Sequence, residues 1–97
     1  MAKLIYLSSA NQNKNRILNE HPHIIGSIER LEHIMLNNPE KGLLISVRVN
    51  GSTILCRKIS TKTRLYSDIV VFGLHQLTAI YYYDGQKSTV IKLYFSL

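Results

Sequence analysis

The chain has 97 residues, 45% of them hydrophobic, with 12 Lys and Arg against 6 Asp and Glu and a single cysteine. That length holds one domain, residues 1–97, and one core. The composition excludes disorder, a disulfide framework and a cysteine-based zinc site, and no apolar run approaches the ~18–20 residues that span a bilayer.

The formal net charge of +6 favours a polyanionic or acidic partner, nucleic acid first and an acidic protein second. The basic residues do not gather into one amphipathic helical stripe, which argues against binding at a membrane surface. The apolar run Leu4-Ile5-Tyr6-Leu7 is too short for the core of a secretion signal. A reducing, cytoplasmic location is therefore expected.

Residues 3–8 read as a short strand. The polar stretch from Ser9 to Arg16 opens a helix that continues through Ile17 and Leu18 and stops at His21-Pro22, because the residue before proline is pushed out of the helical region. From His23 to Asn37, Ile24, Ile25, Ile28, Leu31, Ile34, Met35 and Leu36 recur at helical spacing. Glu29, Arg30, Glu32 and His33 are expected on the outer face, the two glutamates in surface ion pairs. Pro39 and Gly42 then break the pattern.

From Leu43 onward Ile, Val, Thr and Tyr dominate, and strands are expected. Asn50-Gly51 between Leu43–Val49 and Thr53–Ile59 is the signature of a tight hairpin. With that turn, Val49 pairs with Ser52, Val47 with Ile54 and Ile45 with Cys56. Leu43, Ile45, Val47, Val49, Ile54 and Cys56 then share one apolar face, while Ser46, Arg48, Thr53 and Arg57 share the other. Cys56 reads as a small buried hydrophobe. Residues 60–64 read as a loop or frayed strand, and Ile69 to Phe72 as a short strand ending at Gly73. A last hairpin joins Leu77–Asp84 to Ser88–Phe95 through Gly85-Gln86 or Asp84-Gly85. It puts Thr78, Ile80, Tyr82, Ile91 and Leu93 on a face expected to meet the helices. Tyr81, Tyr83, Val90, Lys92 and Tyr94 fall on a face expected to meet solvent or a partner. The fold class that results is α+β: β-α-α followed by a twisted antiparallel sheet, with the helices packed on one face.

Most catalytic signatures are absent. The four histidines lack a metal spacing, the five glycines form no phosphate loop, and no metal or other cofactor is expected. The distinctive segment is Arg57-Lys58-Ile59-Ser60-Thr61-Lys62-Thr63-Arg64, with four positive charges and no acid. It reads either as a solvated basic loop or as a nucleic-acid contact, since cations engage phosphates and nearby tyrosines stack on unpaired bases. The nucleic-acid-binding candidates are Arg48, Arg57, Lys58, Lys62, Arg64, Tyr81, Tyr83 and Lys92. RNA cleavage without a metal needs cationic groups that stabilise the scissile phosphate and a tyrosine or lysine that relays protons, and this half of the chain supplies both residue types.

The order of strand, two helices and antiparallel sheet resembles the RelE/ParE toxin superfamily. The echoes are Leu36-Asn37-Asn38-Pro39-Glu40-Lys41-Gly42 after the second helix, Arg57-Lys58-Ile59 within the sheet, Ala79-Ile80-Tyr81-Tyr82-Tyr83-Asp84-Gly85, and the ending Ile91-Lys92-Leu93-Tyr94. The resemblance implies a metal-independent endoribonuclease that cleaves or binds mRNA on the ribosome, with RNA or the ribosome as target and an acidic antitoxin as partner. Lys58 matches a lysine of the family's mid-sheet strand, and Tyr94 a tyrosine at the end of the last strand of some members. The resemblance implies them as the catalytic candidates, Lys58 as a phosphate stabiliser and Tyr94 as a proton relay beside Lys92 and Tyr81. Ser60 and Thr78 stand where the family pattern carries positive charge. The alternatives are a non-catalytic, virus-encoded protein that inhibits a host nucleoprotein or enzyme through a basic sheet, and a ParE-like gyrase inhibitor.

Overall fold

A computed structural model describes residues 3–66 and 71–97. The elements follow as β1 (Lys3–Tyr6), α1 (Ser8–Glu20), a 3-10 turn at Pro22–Ile24, α2 (Ile25–Asn37), β2 (Leu43–Val49), β3 (Ser52–Tyr66), β4 (Val71–Asp84) and β5 (Thr89–Ser96). They build one five-stranded sheet in the order β1-β5-β4-β3-β2. β1 joins β5 in parallel, and the other neighbours are antiparallel. With β1 at one edge and β2 at the other, the two helices carry the chain across a single face. The expected α+β architecture holds, with the parallel β1 making the sheet mixed.

The Asn50-Gly51 hairpin adopts the register read from its sequence: Val49 opposite Ser52, Val47 opposite Ile54, Ile45 opposite Cys56. Both turn residues sit at positive φ, 52° for Asn50 and 81° for Gly51, which asparagine and glycine tolerate best. The segment read as a loop or frayed strand, residues 60–64, is the middle of the continuous strand β3. Its alternation explains why: Thr61 and Thr63 point to the helical side and Thr63 Oγ1 accepts a hydrogen bond from Ser27 Oγ of α2 at 3.0 Å, while Ser60, Lys62 and Arg64 point away. Polar residues at a period of two make a strand when a partner strand supplies the backbone bonds. β4 begins at Val71 and runs without interruption through the positions read as two strands; Ile69 and Val70 lie outside the described residues. At roughly 3.3 Å per residue, the 15-residue β3 matches the molecule's longest dimension of 47 Å.

The core lies between helices and sheet: Ile17, Ile24, Ile28, Leu31 and Met35 against Ile59, Leu77, Ala79, Tyr81, Val90 and Phe95. This reverses the expected facing of the last hairpin. Tyr81 is fully buried beneath the helices and Tyr83 packs against the same core, whereas Thr78, Ile80, Tyr82 and Ile91 lie on the opposite, open side. Both faces of β4 and β5 carry large apolar side chains, so alternation defines two faces without choosing between them. The apolar face of the first hairpin likewise belongs to the open side. There Cys56 is buried, Ile45, Val47 and Ile54 are half-buried, and Leu43 is 70% exposed.

Glu32 also departs from expectation. It accepts hydrogen bonds from Tyr6 Oη and from Lys14 Nζ, the latter at 3.1 Å, in a half-buried cluster that ties β1, α1 and α2 together. The Lys14 ammonium sits 4.9 Å from the centre of the Tyr6 ring, a cation–π distance. Burial, then the hydrogen bond and negative charge of Glu32, push the Tyr6 phenol far above its ordinary range.

Candidate nucleic-acid interface

The open face of the sheet is built from the even-numbered positions of β3. Because side chains alternate, Lys58, Lys62 and Arg64 all stand on it, and all three are exposed. Ser60 shares the face and bonds Thr78 across to β4, Oγ to Oγ1 at 2.9 Å. Among the described residues the glutamates are placed elsewhere, and Asp84 alone shares the open-face parity, at the end of β4; Asp68 lies outside the described residues. Glu20, Glu29 and Glu32 lie on the helices and Glu40 in the loop that follows them. Asp84, at the end of β4, accepts from the backbone N–H groups of Gln86 and Lys87 in the last turn. The open face therefore carries a positive ladder with little opposing charge.

Register places Tyr94 on this face. A bulge in the pairing of β4 with β5 falls between Ile80 and Tyr81, so that Tyr81 opposes Lys92 but Ile80 opposes Tyr94. The bulge moves Tyr94 to the face opposite Tyr81, contrary to the expected grouping of Tyr81, Lys92 and Tyr94. Lys58 also pairs with Ile80. Tyr94, Ile80 and Lys58 thus form one transverse row, and the two ends are two strand spacings apart, about 10 Å between Cα atoms. Both are long side chains, and their tips can reach one phosphate between them. Tyr94 is 46% exposed. Tyr82 stands on the same face of β4, although the sequence pattern assigns it to the face expected to meet the helices.

Other candidates are placed elsewhere. Arg57 faces the helical side, where its Nη1 donates to the carbonyls of Glu40 and Gly42, both at 2.8 Å. It fastens the loop after α2. The Tyr81 hydroxyl fastens the same loop by donating to the Pro39 carbonyl at 2.7 Å, and burial raises its phenol above the usual value. Arg48 is exposed near the tip of the first hairpin, on the parity opposite Lys58. Tyr83 belongs to the margin of the core. Lys92 holds its register in β5, but its side chain lies outside the described residues.

The open face ends at α1. β1 pairs with β5 only as far as Lys92, and beyond it α1 lies along the β5 edge, where Asn13 Oδ1 accepts the backbone N–H of Phe95 at 2.6 Å. Asn13 Nδ2 is buried without a hydrogen-bond partner among the described residues. Ser9, Gln12, Asn13, Arg16 and Tyr94 line a groove of ≈430 Å3 there, and Arg16 and Tyr94 continue into an adjoining hollow with Glu20. Arg16 carried no sequence signal, because only the docking of α1 brings it beside Tyr94.

Among the described residues no helix is long and apolar enough to cross a membrane, and no cluster of three or more His, Cys, Asp or Glu side chains could hold a metal ion. No family model, curated protein or solved structure matches the chain.

Proposed function

We propose that this chain binds single-stranded RNA across its open sheet face and acts on translation as a toxin of the RelE type, by binding or cleaving mRNA. The observation that carries this reading is the transverse row of Lys58, Ile80 and Tyr94 beside the ladder of Lys58, Lys62 and Arg64. Cations along a strand can follow a phosphate backbone, and exposed tyrosines offer rings on which unpaired bases stack.

Cleavage at this row is a transesterification. The ribose 2′-oxygen bonds to phosphorus and its proton passes to water. The bond from phosphorus to the 5′-oxygen breaks, and the departing oxygen takes a proton from the Tyr94 phenol. The Lys58 ammonium offsets the negative charge that grows on the non-bridging oxygens, a role worth about 3–4 kcal/mol for a well-placed donor.

The test compares wild type with Tyr94→Phe and Lys58→Ala on ribosome-bound mRNA. Loss of cleavage in both variants with binding retained supports the mechanism. Equal cleavage by all three removes these residues from it. Binding without cleavage by any of them points to an RNA-binding protein without chemistry.

A second reading, capture of a protein partner, is favoured by the leucines at the β2 edge. Leu43, Leu44 and Leu55 are 59–70% exposed around a strand whose outer edge has no neighbour in the sheet. Co-purification of a stoichiometric protein and failure to bind RNA would select it.

A further inference from the structure

We propose that the groove between α1 and the β5 edge is a phosphate-binding subsite, with Arg16 as its cation, that extends the RNA path beyond Tyr94. This rests on the reading of the open face as an RNA surface and adds to it an element that strand positions alone do not supply. The groove's ≈430 Å3 falls within the range of about 300–1,000 Å3 typical of ligand sites, enough for one nucleotide.

Its lining is rich in donors. Arg16 offers a guanidinium, Ser9 a hydroxyl and Gln12 an amide, all three on exposed residues of α1. Arg16 makes no ion pair among the described residues. Asn13 lines the groove too, with its Oδ1 accepting the Phe95 N–H. No carboxylate lines this groove; Glu20 lines only the adjoining hollow. A lining of donors with one cation and no acid selects an anion rich in acceptor oxygens. The Tyr94 ring forms the side shared with the open face, so a sugar-phosphate that enters the groove continues from a strand lying over Ile80 and Lys58. Here α1 supplies positive charge to a row that has Ser60 and Thr78 as its neighbours on β3 and β4.

The experiment titrates a labelled single-stranded uridine RNA of about ten nucleotides into wild type, Arg16→Ala, Arg16→Lys and the triple variant Lys58→Ala, Lys62→Ala, Arg64→Ala, at several salt concentrations. Matching thermal unfolding midpoints establish that each variant is folded. Arg16→Ala is expected to weaken binding roughly tenfold, as loss of one charge-assisted contact does. It should also lower the salt slope by about 0.7, the value for one phosphate of a single strand. Arg16→Lys should restore the slope without the full affinity, because a lysine keeps the charge and loses the fork. The Asn13 side-chain amide resonance should shift when RNA binds. Unchanged affinity in Arg16→Ala with weakened binding in the triple variant overturns the groove and leaves the open face standing. The converse result keeps the groove and removes the ladder. Inorganic phosphate that moves the Asn13 resonance at the same concentration as RNA would make this a free-phosphate site and overturn the proposal. Absence of RNA binding by wild type overturns both.

Discussion

Gly42 shows how closely the loop after α2 is held. A Cβ there would lie 2.9 Å from the Tyr81 hydroxyl and 3.0 Å from Arg57 Cβ and Ile59 Cγ2, and the Tyr81 and Arg57 contacts hold the loop in place. Gly42→Ala is therefore expected to cost about 1–3 kcal/mol in denaturant unfolding, the range for overpacking. Tyr81→Phe should cost about 1 kcal/mol by leaving the Pro39 carbonyl without its donor.

The ionisable groups of the interior add a pH dependence. Burial raises the Cys56 thiol and the Tyr81 phenol, and burial with Glu32 raises Tyr6. A raised acid stays protonated in the folded state after the unfolded chain has lost its proton. Its contribution is fully present below the unfolded value and is lost as pH rises through the folded one. Stability should therefore fall above about pH 8.5–10, where free thiols and phenols ionise. Tyr6→Phe should flatten that fall when unfolding midpoints are compared across alkaline pH; an unchanged alkaline limb would show that Tyr6 does not contribute. Cys56 should react with a thiol reagent only at the rate of unfolding.

At the scale of elements, the first hairpin was legible because two local signals agree. Asn50-Gly51 supplies the positive φ angles of a tight turn, and the alternation on either side sets the register. Gly51→Ala is expected to destabilise by about 1 kcal/mol, since alanine resists φ near +81°. The continuous β3 was less legible. Thr61, Lys62, Thr63 and Arg64 contain no large apolar residue, and their strand identity depends on β4 and on the contact of Thr63 with Ser27. The bulge that turns Tyr94 away from Tyr81 has no glycine or proline to announce it. At the β2 edge, Leu44→Thr and Leu55→Thr should change stability by no more than about 0.5 kcal/mol, because both leucines are largely exposed. The same changes should raise the concentration at which the protein stays monomeric in light scattering, as blunting an exposed apolar edge does.

For the whole molecule, the two sides of the sheet differ in charge and cover. The helical side holds the core, and all four glutamates lie on the helices or the loop that follows them, while the open side presents Lys58, Lys62 and Arg64. If the ladder neutralises three phosphates, the triple alanine variant should flatten the plot of log K against log salt by about 2 for single-stranded RNA. Fluorescence anisotropy across a salt series measures that slope. An identical slope in wild type and variant would move the RNA contact off β3.

The sequence by itself determined where the two helices and the Asn50-Gly51 hairpin form. The last hairpin instead turns over the four residues 85–88, with Asp84 opposite Thr89, and not at Gly85-Gln86 or Asp84-Gly85. Helix periodicity, the stop at His21-Pro22, the Asn50-Gly51 turn and the two-residue alternation act within a few neighbouring residues, and each appears where the local pattern places it. It also determined that Lys58, Lys62 and Arg64 would share a face once the segment was extended. Only the tertiary structure decided which face that was. Two apolar faces competed for the helices, and the choice depends on the total surface buried by Tyr81, Val90, Phe95 and Leu77 beneath Ile28, Leu31 and Met35. Local alternation cannot weigh that sum, nor can it foresee a one-residue bulge or a helix laid along a strand edge. Those long-range contacts brought Tyr94 into line with Lys58 and set Arg16 beside it.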